Sequence, residues 1–237
     1  MRIALMQPYF FPYIGYFQLL AETDKFIFYD DVNFIKNGWI NRNRLLRNGE
    51  PAFFTVPLAN ASSFAKINEV KVDDKQPWRT KLQQTLLHAY KRAPHYEAVS
   101  ALFAGVLDTP ESSVAAIAKS SVCAIARYLN LPAIMTDTSA AYRNAHMQGV
   151  DRVLDICKSE KATQYVNVPG GQGLYNPAQF RAHKIDLQFI NTTMALQPYA
   201  QFGADFVAGL SVVDVIMFNN VQTVRARLGL PPIAGSV

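Results

Sequence analysis

The sequence has few charged residues, few cysteines and no long uninterrupted hydrophobic run. Only 17% of its 237 residues are charged while 50% are hydrophobic, which excludes an intrinsically disordered chain. Its two cysteines, Cys123 and Cys157, are too few for a small scaffold held by disulfides. No uncharged stretch reaches the roughly 18 residues that a membrane helix needs, so we expect no membrane span.

Several motifs of well-known enzyme classes are also missing. The sequence contains no glycine-rich dinucleotide fingerprint, no Walker loop, no G-x-S-x-G nucleophile elbow and no H-E-x-x-H zinc motif. The four histidines show no metal-ligand spacing with one another or with the cysteines, so we expect no metal. Both cysteines occupy apolar positions of predicted helices, which favours buried packing over a nucleophilic role.

The N-terminus lacks the long apolar segment and the small-residue cleavage site of a signal peptide. Two cysteines without a pattern are typical of proteins from a reducing compartment. We therefore expect a cytoplasmic protein.

The net charge of +5 is concentrated near the N-terminus. Its densest part is Lys36, Arg42, Arg44 and Arg47, with no acidic residue among them. Such a cluster suits a phosphate, a carboxylate or a nucleic acid, and the alternative is a solvated face that keeps the protein soluble. Because the cluster is short and interrupted, nucleic acid is the least favoured partner.

Short apolar runs alternate with helical patterns along the chain, which predicts an α/β fold. The first sixty residues suggest a strand, a helix, a strand, a polar loop and a strand. Residues 75–130 suggest three helices that either form a lobe or cover the sheet, and Ser211 with Asp214 suggests a capping box. We expect one domain over residues 1–237, with a mainly parallel sheet, a Rossmann-like N-terminal βαβ unit and the helical segment 75–130 within it.

Polar and aromatic residues follow the first two predicted strands. Gln7 comes directly after the first strand, and Asp30 and Asp31 come after the second. Ligands of open α/β sheets bind beyond the carboxyl ends of the strands, where one acid would serve as general base and cations would hold a phosphate. The competing interpretation is that the aromatic residues are core and the polar ones form a surface loop, although an amide at a buried strand end must still find partners.

Several segments together resemble the WbqC-like protein family. They include ALMQPYFFPYIGY at residues 4–16, DKFIFYDDVNFIKNGWINRNR at 24–44, the glycine-rich turn up to Tyr175, and PYAQF followed by LSVVDVIMFN. The resemblance covers nearly the whole chain, and one departure is Asn33, where the family pattern usually has Gln. It implies a role in bacterial surface-polysaccharide (O-antigen) biosynthesis, in which glycine or another small acyl group is transferred to a sugar amine.

The implied enzyme is a transferase that forms an amide on a nucleotide-linked amino sugar. It would use an activated acyl donor such as an acyl-carrier protein, coenzyme A or an adenylate. We predict as catalytic residues Gln7, Asp30, Asp31 and Lys36. The predicted substrate-binding residues are Tyr9, Tyr13, Gly15, Tyr16, Asn41, Arg42, Arg44, Tyr199 and Gln201.

Two other functions stay open from the sequence. The segment Tyr13-Ile14-Gly15-Tyr16 lies where cytidylyltransferases and pantothenate synthetase carry H-x-G-H, which suggests a nucleotidyl- or adenylate-forming enzyme in which both histidines are replaced by tyrosine. The other alternative is a nucleotide-sugar binding module without catalytic activity. The first alternative rests on similarity of fold, which does not by itself establish function.

Overall fold

A five-stranded parallel sheet forms the centre of the protein. The computed structural model describes residues 1–110, 112–203 and 205–233, and its central strands lie in the order β7-β2-β1-β8-β9. The strands are β1 (Arg2–Met6), β2 (Lys25–Phe28), β7 (Ile134–Thr136), β8 (Gln164–Asn167) and β9 (Asp186–Phe189). All four neighbouring pairs are parallel, so the prediction of a mainly parallel α/β fold is confirmed.

Helices cover both faces of this sheet. They are α1 (Ile14–Ala21), α2 (Trp78–Tyr90), α3 (Tyr96–Leu107), α4 (Val114–Tyr128), α5 (Gly149–Ser159), α6 (Pro177–Ala182), α7 (Val212–Phe218) and α8 (Val221–Arg227). Residues Ile3 and Leu5 of β1 pack on α5 and α6, whereas Ala4 between them joins the core on the α1 side. Because successive side chains of a strand point to opposite faces and both faces are covered, β1 is apolar from Ile3 to Met6.

The segment 75–130 contains the three helices α2, α3 and α4. Their inward side chains belong to the same continuous hydrophobic core as the α1 face of the sheet. The ring of Phe103 in α3 stacks on Phe11 in the loop after β1, with ring centroids 4.8 Å apart. These helices therefore also support the loop at the end of the central strand.

The prediction of a polar loop after β2 is wrong for the second half of that segment. Residues Arg42–Arg47 form strand β3, which pairs antiparallel with β4 (Glu50–Thr55) outside the central sheet. A second hairpin joins β5 (Leu58–Ala59) and β6 (Lys71–Val72). The alternation of β3 is masked in the sequence because one of its buried positions is occupied by a polar residue, Asn43.

The predicted capping box before α7 is half correct. The Ser211 hydroxyl accepts a hydrogen bond from Val213 N at 3.2 Å, as an N-cap does. The Asp214 carboxylate does not complete the box, because it accepts hydrogen bonds from Tyr90, Tyr199 and Gln201 instead. Tertiary partners have thus replaced the local one.

None of the described helices combines the length and the apolar character needed to span a bilayer.

Candidate functional site

The order of the strands creates a crevice beside β1. The chain runs from β1 outward through β2 to β7, and then crosses back to place β8 on the other side of β1. Connections therefore leave β1 and β8 in opposite directions, and at such a switch point a ligand-binding crevice opens beyond the carboxyl ends. Gln7 follows β1 at this point, and the turn with Gly170 and Gly171 follows β8.

Gln7 carries an unsatisfied polar atom at this position. Its side-chain oxygen Oε1 is buried and has no hydrogen-bond partner among the described residues. Its backbone oxygen accepts a hydrogen bond from the Tyr16 hydroxyl at 2.9 Å. A buried carbonyl oxygen without a donor is costly, so this amide favours a ligand or a water molecule as its partner.

The loop that follows Gln7 is held rigidly. Phe11 has a φ of 42°, in the left-handed region that bulky residues rarely adopt. Its N–H donates to Ser121 Oγ at 2.8 Å, and its carbonyl accepts from Asn43 Nδ2 at 2.9 Å and from Ser211 Oγ at 2.6 Å. Three side chains from distant segments thus impose the strained conformation, as is common where a loop must be pre-organised.

The start of α1 is covered by an aromatic ring. A Cβ added to Gly15 would lie 2.8 Å from Cζ of Tyr13, so the glycine is needed for the Tyr13 ring to lie against the first helical turn. Tyr16 is 1% exposed, and its hydroxyl is taken by the Gln7 carbonyl. The helix start at Gly15, a predicted substrate-binding residue, is therefore covered by the protein's own side chain.

Asp30 and Asp31 lie on opposite sides of the edge of the sheet. Asp30 is 1% exposed, and its carboxylate accepts from Thr138 Oγ1 at 2.7 Å and from Lys119 Nζ of α4 at 3.2 Å. Asp31 turns the other way and accepts from Arg152 of α5 at 2.5 Å. The two consecutive acids are thus each paired with a cation, and they connect the helix layers on the two faces.

Ser139 and Asn144 complete this network. The Ser139 hydroxyl donates to Asp31 and accepts from the Asp30 N–H at 3.2 Å. Arg152 Nε donates to Asn144 Oδ1 at 2.9 Å. Buried charges are stable when they are paired and hydrogen-bonded, so this network keeps both acids in place at the end of β2.

One pocket opens at this edge, and we call it the β2-edge pocket. Its volume is about 430 Å³, within the range of small-molecule sites. Its polar and aromatic lining includes Tyr29, Asp31, Asn33, Lys66, Arg152 and Tyr175. Gln148 and Gly149 at the start of α5 also line it, and no side chain caps this helix, so its first backbone N–H groups are open to an acceptor.

A second pocket of about 300 Å³ lies beside the loop after β1, and we call it the Arg44 pocket. Its lining includes Tyr9, Pro12, Tyr13, Trp39, Arg44 and Gly209. It has no lining residue in common with the β2-edge pocket. Three of the predicted substrate-binding residues, Tyr9, Tyr13 and Arg44, are brought together here.

The basic cluster seen in the sequence is divided in the structure. Arg42 donates to the carbonyls of Asn37 at 2.5 Å and Gly38 at 3.3 Å, and it stacks on Phe53. Arg47 is exposed at the end of β3. Of the four cations, only Arg44 lines the Arg44 pocket.

Lys36, Asn41 and Arg42 lie together elsewhere, in a third, more open pocket of about 300 Å³. The amide of Asn41 is used locally, because its Nδ2 donates to the Val56 carbonyl at 2.9 Å. Lys36 is exposed at the rim. The predicted catalytic residues Asp31 and Lys36 thus line different pockets.

Tyr199 and Gln201 meet at Asp214. The Tyr199 hydroxyl and Gln201 Nε2 both donate to one oxygen of the Asp214 carboxylate, and Tyr90 donates to the other at 2.6 Å. Asp214 is 0% exposed and has no cationic partner among the described ion pairs, so burial raises its pKa above the usual carboxyl value. This network connects the PYAQF segment to α7 by hydrogen bonds.

Sequence reasoning missed Tyr29, Lys66 and Arg152 as members of the β2-edge pocket. Arg152 leaves a signal, because it is a cation beside Val153 and Ile156 on the stripe of α5 that faces the core. A charged residue at such a position requires a buried partner of opposite charge. Lys66 leaves no such signal, because the β-bridge between Asn33 and Lys66 places it in the pocket.

Both cysteines are unpaired thiols packed among other residues. Cys157 is fully buried, and burial raises the pKa of its thiol to about 12. Cys123 is half-buried, and burial raises its pKa as well. A thiol with a raised pKa is a poor nucleophile at neutral pH, which agrees with the packing role expected from the sequence. Among the described residues, no three His, Cys, Asp or Glu side chains gather as metal ligands would.

Comparison with known proteins places the chain in a family. The sequence is 26% identical over 220 residues to the uncharacterized protein Rv1507c of Mycobacterium tuberculosis (strain ATCC 25618 / H37Rv), a match that covers 92% of this chain and 93% of that protein. No solved structure matches the chain. The model of the WbqC-like protein family matches residues 7–226, and the chain therefore belongs to that family.

Proposed function

We propose that this protein is a transferase that forms an amide on the amino group of a nucleotide-linked sugar in surface-polysaccharide biosynthesis. The observation that carries the proposal is the composition of the β2-edge pocket. It combines one carboxylate, two cations and an uncapped helix start at the carboxyl edge of a parallel sheet. These are the groups needed to hold a diphosphate and to accept a proton.

The cationic side of the pocket would bind the diphosphate. Lys66 is half-buried, and its Nζ donates to Asn33 Oδ1 at 2.9 Å. The open N–H groups at the start of α5 add donors and the positive end of the helix dipole. Arg152 is already paired with Asp31, so Lys66 is the cation available to a phosphate.

Asp31 would act on the reacting amine. The nitrogen lone pair of the sugar amine attacks the carbonyl carbon of the activated acyl donor, and a C–N bond forms. Asp31 accepts the proton that the nitrogen loses, and the bond to the leaving group breaks with its electron pair. Each oxygen of Asp31 accepts one hydrogen bond, from Ser139 or Arg152, and retains a second lone pair for this proton.

Other groups in the pocket suit supporting roles. The Tyr29 hydroxyl is suited to donate to the oxyanion that forms on the acyl carbon. Burial raises the pKa of Tyr29, so its hydroxyl keeps its proton at neutral pH. The Asp30 carboxylate is buried, so we propose that it is a positioning residue. It fixes the end of β2 to α4 through Lys119. Gln7 is next to Tyr29 along the edge of the sheet but is not part of the pocket lining, so its catalytic role stays a prediction from the sequence.

The nucleotidyl- or adenylate-forming alternative fits the structure less well. In that reaction a nucleotide phosphate would approach the start of α1, but the Tyr13 ring lies over Gly15 there. The Tyr16 hydroxyl is also engaged by the Gln7 carbonyl. Pyrophosphate release from ATP or CTP would favour this alternative, and ligand-induced stabilisation without turnover would favour a binding module.

The decisive experiment is an acyl-transfer assay read by mass spectrometry. The protein is incubated with nucleotide-linked amino sugars and with glycyl or acetyl donors carried on a carrier protein, coenzyme A or adenylate. We expect one of the sugar products to gain the mass of the acyl group. If folded protein yields no such product with any pair, the transferase proposal is wrong.

Variants of Lys66 and Asp31 test the assigned roles. We expect Lys66→Met to raise KM for the nucleotide sugar about tenfold, the usual effect of losing one charged hydrogen bond. Lys158→Met, at the exposed far end of α5, is the control and should leave KM unchanged. Asp31→Asn should lower kcat about 100-fold or more with little effect on KM, because it removes the proton acceptor.

The same assay separates the structure-based assignment from the sequence-based one. The sequence predicted Lys36 as a catalytic residue, and it lines a different pocket from Asp31. A loss of activity in Lys36→Met with normal activity in Lys66→Met would place the reaction outside the β2-edge pocket.

A further inference from the structure

We propose that the Arg44 pocket and the apolar pocket beside it together bind a second ligand, one with an oxyanion head on an apolar body. The head is a carboxylate or a phosphate bound at Arg44. The body lies against Trp39 and in the neighbouring apolar pocket. This site is separate from the nucleotide-sugar site proposed above and does not depend on that assignment.

The free polar side chains of the Arg44 pocket can all donate hydrogen bonds. Arg44 Nε is buried and, like the hydroxyls of Tyr9 and Tyr13, has no hydrogen-bond partner among the described residues. The Asn43 amide is already used, since its Nδ2 donates to the carbonyls of Phe10 and Phe11 and its Oδ1 accepts from Arg44 N. A ligand that satisfies Arg44 must therefore supply an acceptor.

The positive charge of Arg44 is not compensated by a nearby acid within the described residues. No acidic side chain lines the pocket or pairs with Arg44 within the described part of the chain. Burial raises the pKa values of Tyr9 and Tyr13, so both phenols stay protonated and donate at neutral pH. One guanidinium and two phenols can all donate to a single anionic oxygen, and the positive charge of Arg44 favours an anion over a cation.

Arg44 is held in place before any ligand arrives. One of its terminal N–H groups donates to the Gly209 carbonyl at 2.8 Å, and its guanidinium carbon lies 5.5 Å from the centre of the Trp39 ring. Gly209 has a φ of +69°, and a Cβ at that position would lie 2.9 Å from Arg44. A fixed guanidinium loses little entropy on binding, so more of the interaction appears as affinity.

The space that adjoins the Arg44 pocket suits an apolar group. A pocket of about 340 Å³ shares Tyr13 and Gly209 with the Arg44 pocket, so the two adjoin. Its other walls are mainly apolar and include Ile14, Leu196, Phe206 and Leu210. An anion with an apolar portion would fill both spaces, and the apolar portion would gain from burial there.

Trp39 makes the proposal directly testable. It is 38% exposed in the Arg44 pocket, while Trp78, the other tryptophan of the chain, is 3% exposed. Hexanoate, hexyl phosphate and hexanol are titrated into the full-length protein while tryptophan fluorescence is followed. Trp39→Phe identifies the part of the signal that comes from this pocket.

We expect at least one of the two anions to give a saturable signal from Trp39 and to bind about tenfold or more tightly than hexanol, as a charge-assisted hydrogen bond should provide. Whichever anion binds more tightly identifies the head group as carboxylate or phosphate. Hexanol binding as tightly as both anions, or the absence of a saturable signal with either, would overturn the proposal.

Two variants test the proposed hydrogen-bond donors, Arg44 and Tyr13. Arg44→Gln should weaken binding of the preferred anion about tenfold, and Tyr13→Phe should weaken it about threefold. Arg92→Gln is the control, because Arg92 also lies 5.5 Å from an aromatic ring, that of Phe202, but lines none of the described pockets. Unchanged affinity in Arg44→Gln, or an equal loss in Arg92→Gln, would contradict the proposal.

The test remains decisive if Arg44→Gln does not fold. In that case Tyr13→Phe, which removes one oxygen, and the comparison of the anions with hexanol on the unaltered protein decide the matter. The titration uses neither a sugar nor an acyl donor, so its result is independent of the acyl-transfer assay.

Discussion

The protein contains two buried acidic centres, and their carboxylates are stabilised by different kinds of partner. Asp30 and Asp31 are each paired with a cation, Lys119 and Arg152. Asp214 has three neutral donors and no cation among the described ion pairs. Burial without a cation raises the pKa of Asp214 above the usual carboxyl value.

The difference indicates what each centre does. Asp31 lines the β2-edge pocket, so it is placed to meet a ligand. Asp214 is closed off at 0% exposure and connects α7, α2 and the PYAQF segment. Asp31 therefore faces a ligand pocket, whereas Asp214 stabilises the fold.

The largest effect is expected from removing the cation of the first centre. Arg152→Met leaves the buried Asp31 unpaired, and we expect a loss of about 3–5 kcal/mol in the free energy of unfolding. Chemical denaturation measures this loss. The double variant Arg152→Met with Asp31→Leu should recover part of it, because no charge is then left unpaired. A single variant as stable as the unaltered protein would show that the ion pair does not hold this centre.

A smaller loss is expected at the second centre. Tyr90→Phe removes the donor to Asp214 and leaves the Leu46 N–H, 2.8 Å from the hydroxyl, without its acceptor. We expect a cost of about 1–3 kcal/mol. The control is Tyr128→Phe, a half-buried tyrosine whose hydroxyl has no hydrogen bond within the described part of the chain, and its cost should stay within about 0.5 kcal/mol. Equal costs for the two variants would argue against the Asp214 network.

The smallest effect is a change in the pH dependence of stability. Because the pKa of Asp214 is raised in the folded protein, the folded state keeps this proton to higher pH than the unfolded chain does. Its contribution is complete below the ordinary carboxyl pKa of about 4 and is lost as the pH rises through the raised value. Relative to Asp214→Asn, the unaltered protein should therefore lose stability over that range, as melting curves at several pH values would measure. A constant difference would mean that the pKa of Asp214 is not raised.

Much of the fold was predictable because it depends on local patterns. Apolar runs predicted the strands β1 and β2, and the helical spacing of apolar residues predicted the three helices within residues 75–130. Strand β3 was missed because a buried asparagine, Asn43, breaks its alternation and serves the loop after β1 instead. Its hydrogen bonds span more than thirty residues, and no local pattern carries that information.

For the candidate site, the sequence predicted only which residues lie at the ends of the strands. The positions of Gln7, Asp30 and Asp31 followed from the rule that parallel strands present their carboxyl ends at one edge. The pockets did not follow, since Asp30 and Asp31 face opposite helix layers and Lys36 lines a different pocket from Asp31.

The sequence by itself determined the class of fold, the family and the segments in which polar residues gather. Composition and the spacing of hydrophobic residues are properties of the sequence itself, so they can be determined without the tertiary structure. Only the tertiary structure decided which of the four cations at 36–47 lines the Arg44 pocket, and which of two adjacent acids reaches the β2-edge pocket. That outcome depends on partners such as Gly209 and Arg152, more than a hundred residues away, because a charge is available to a ligand only where the fold has not already satisfied it.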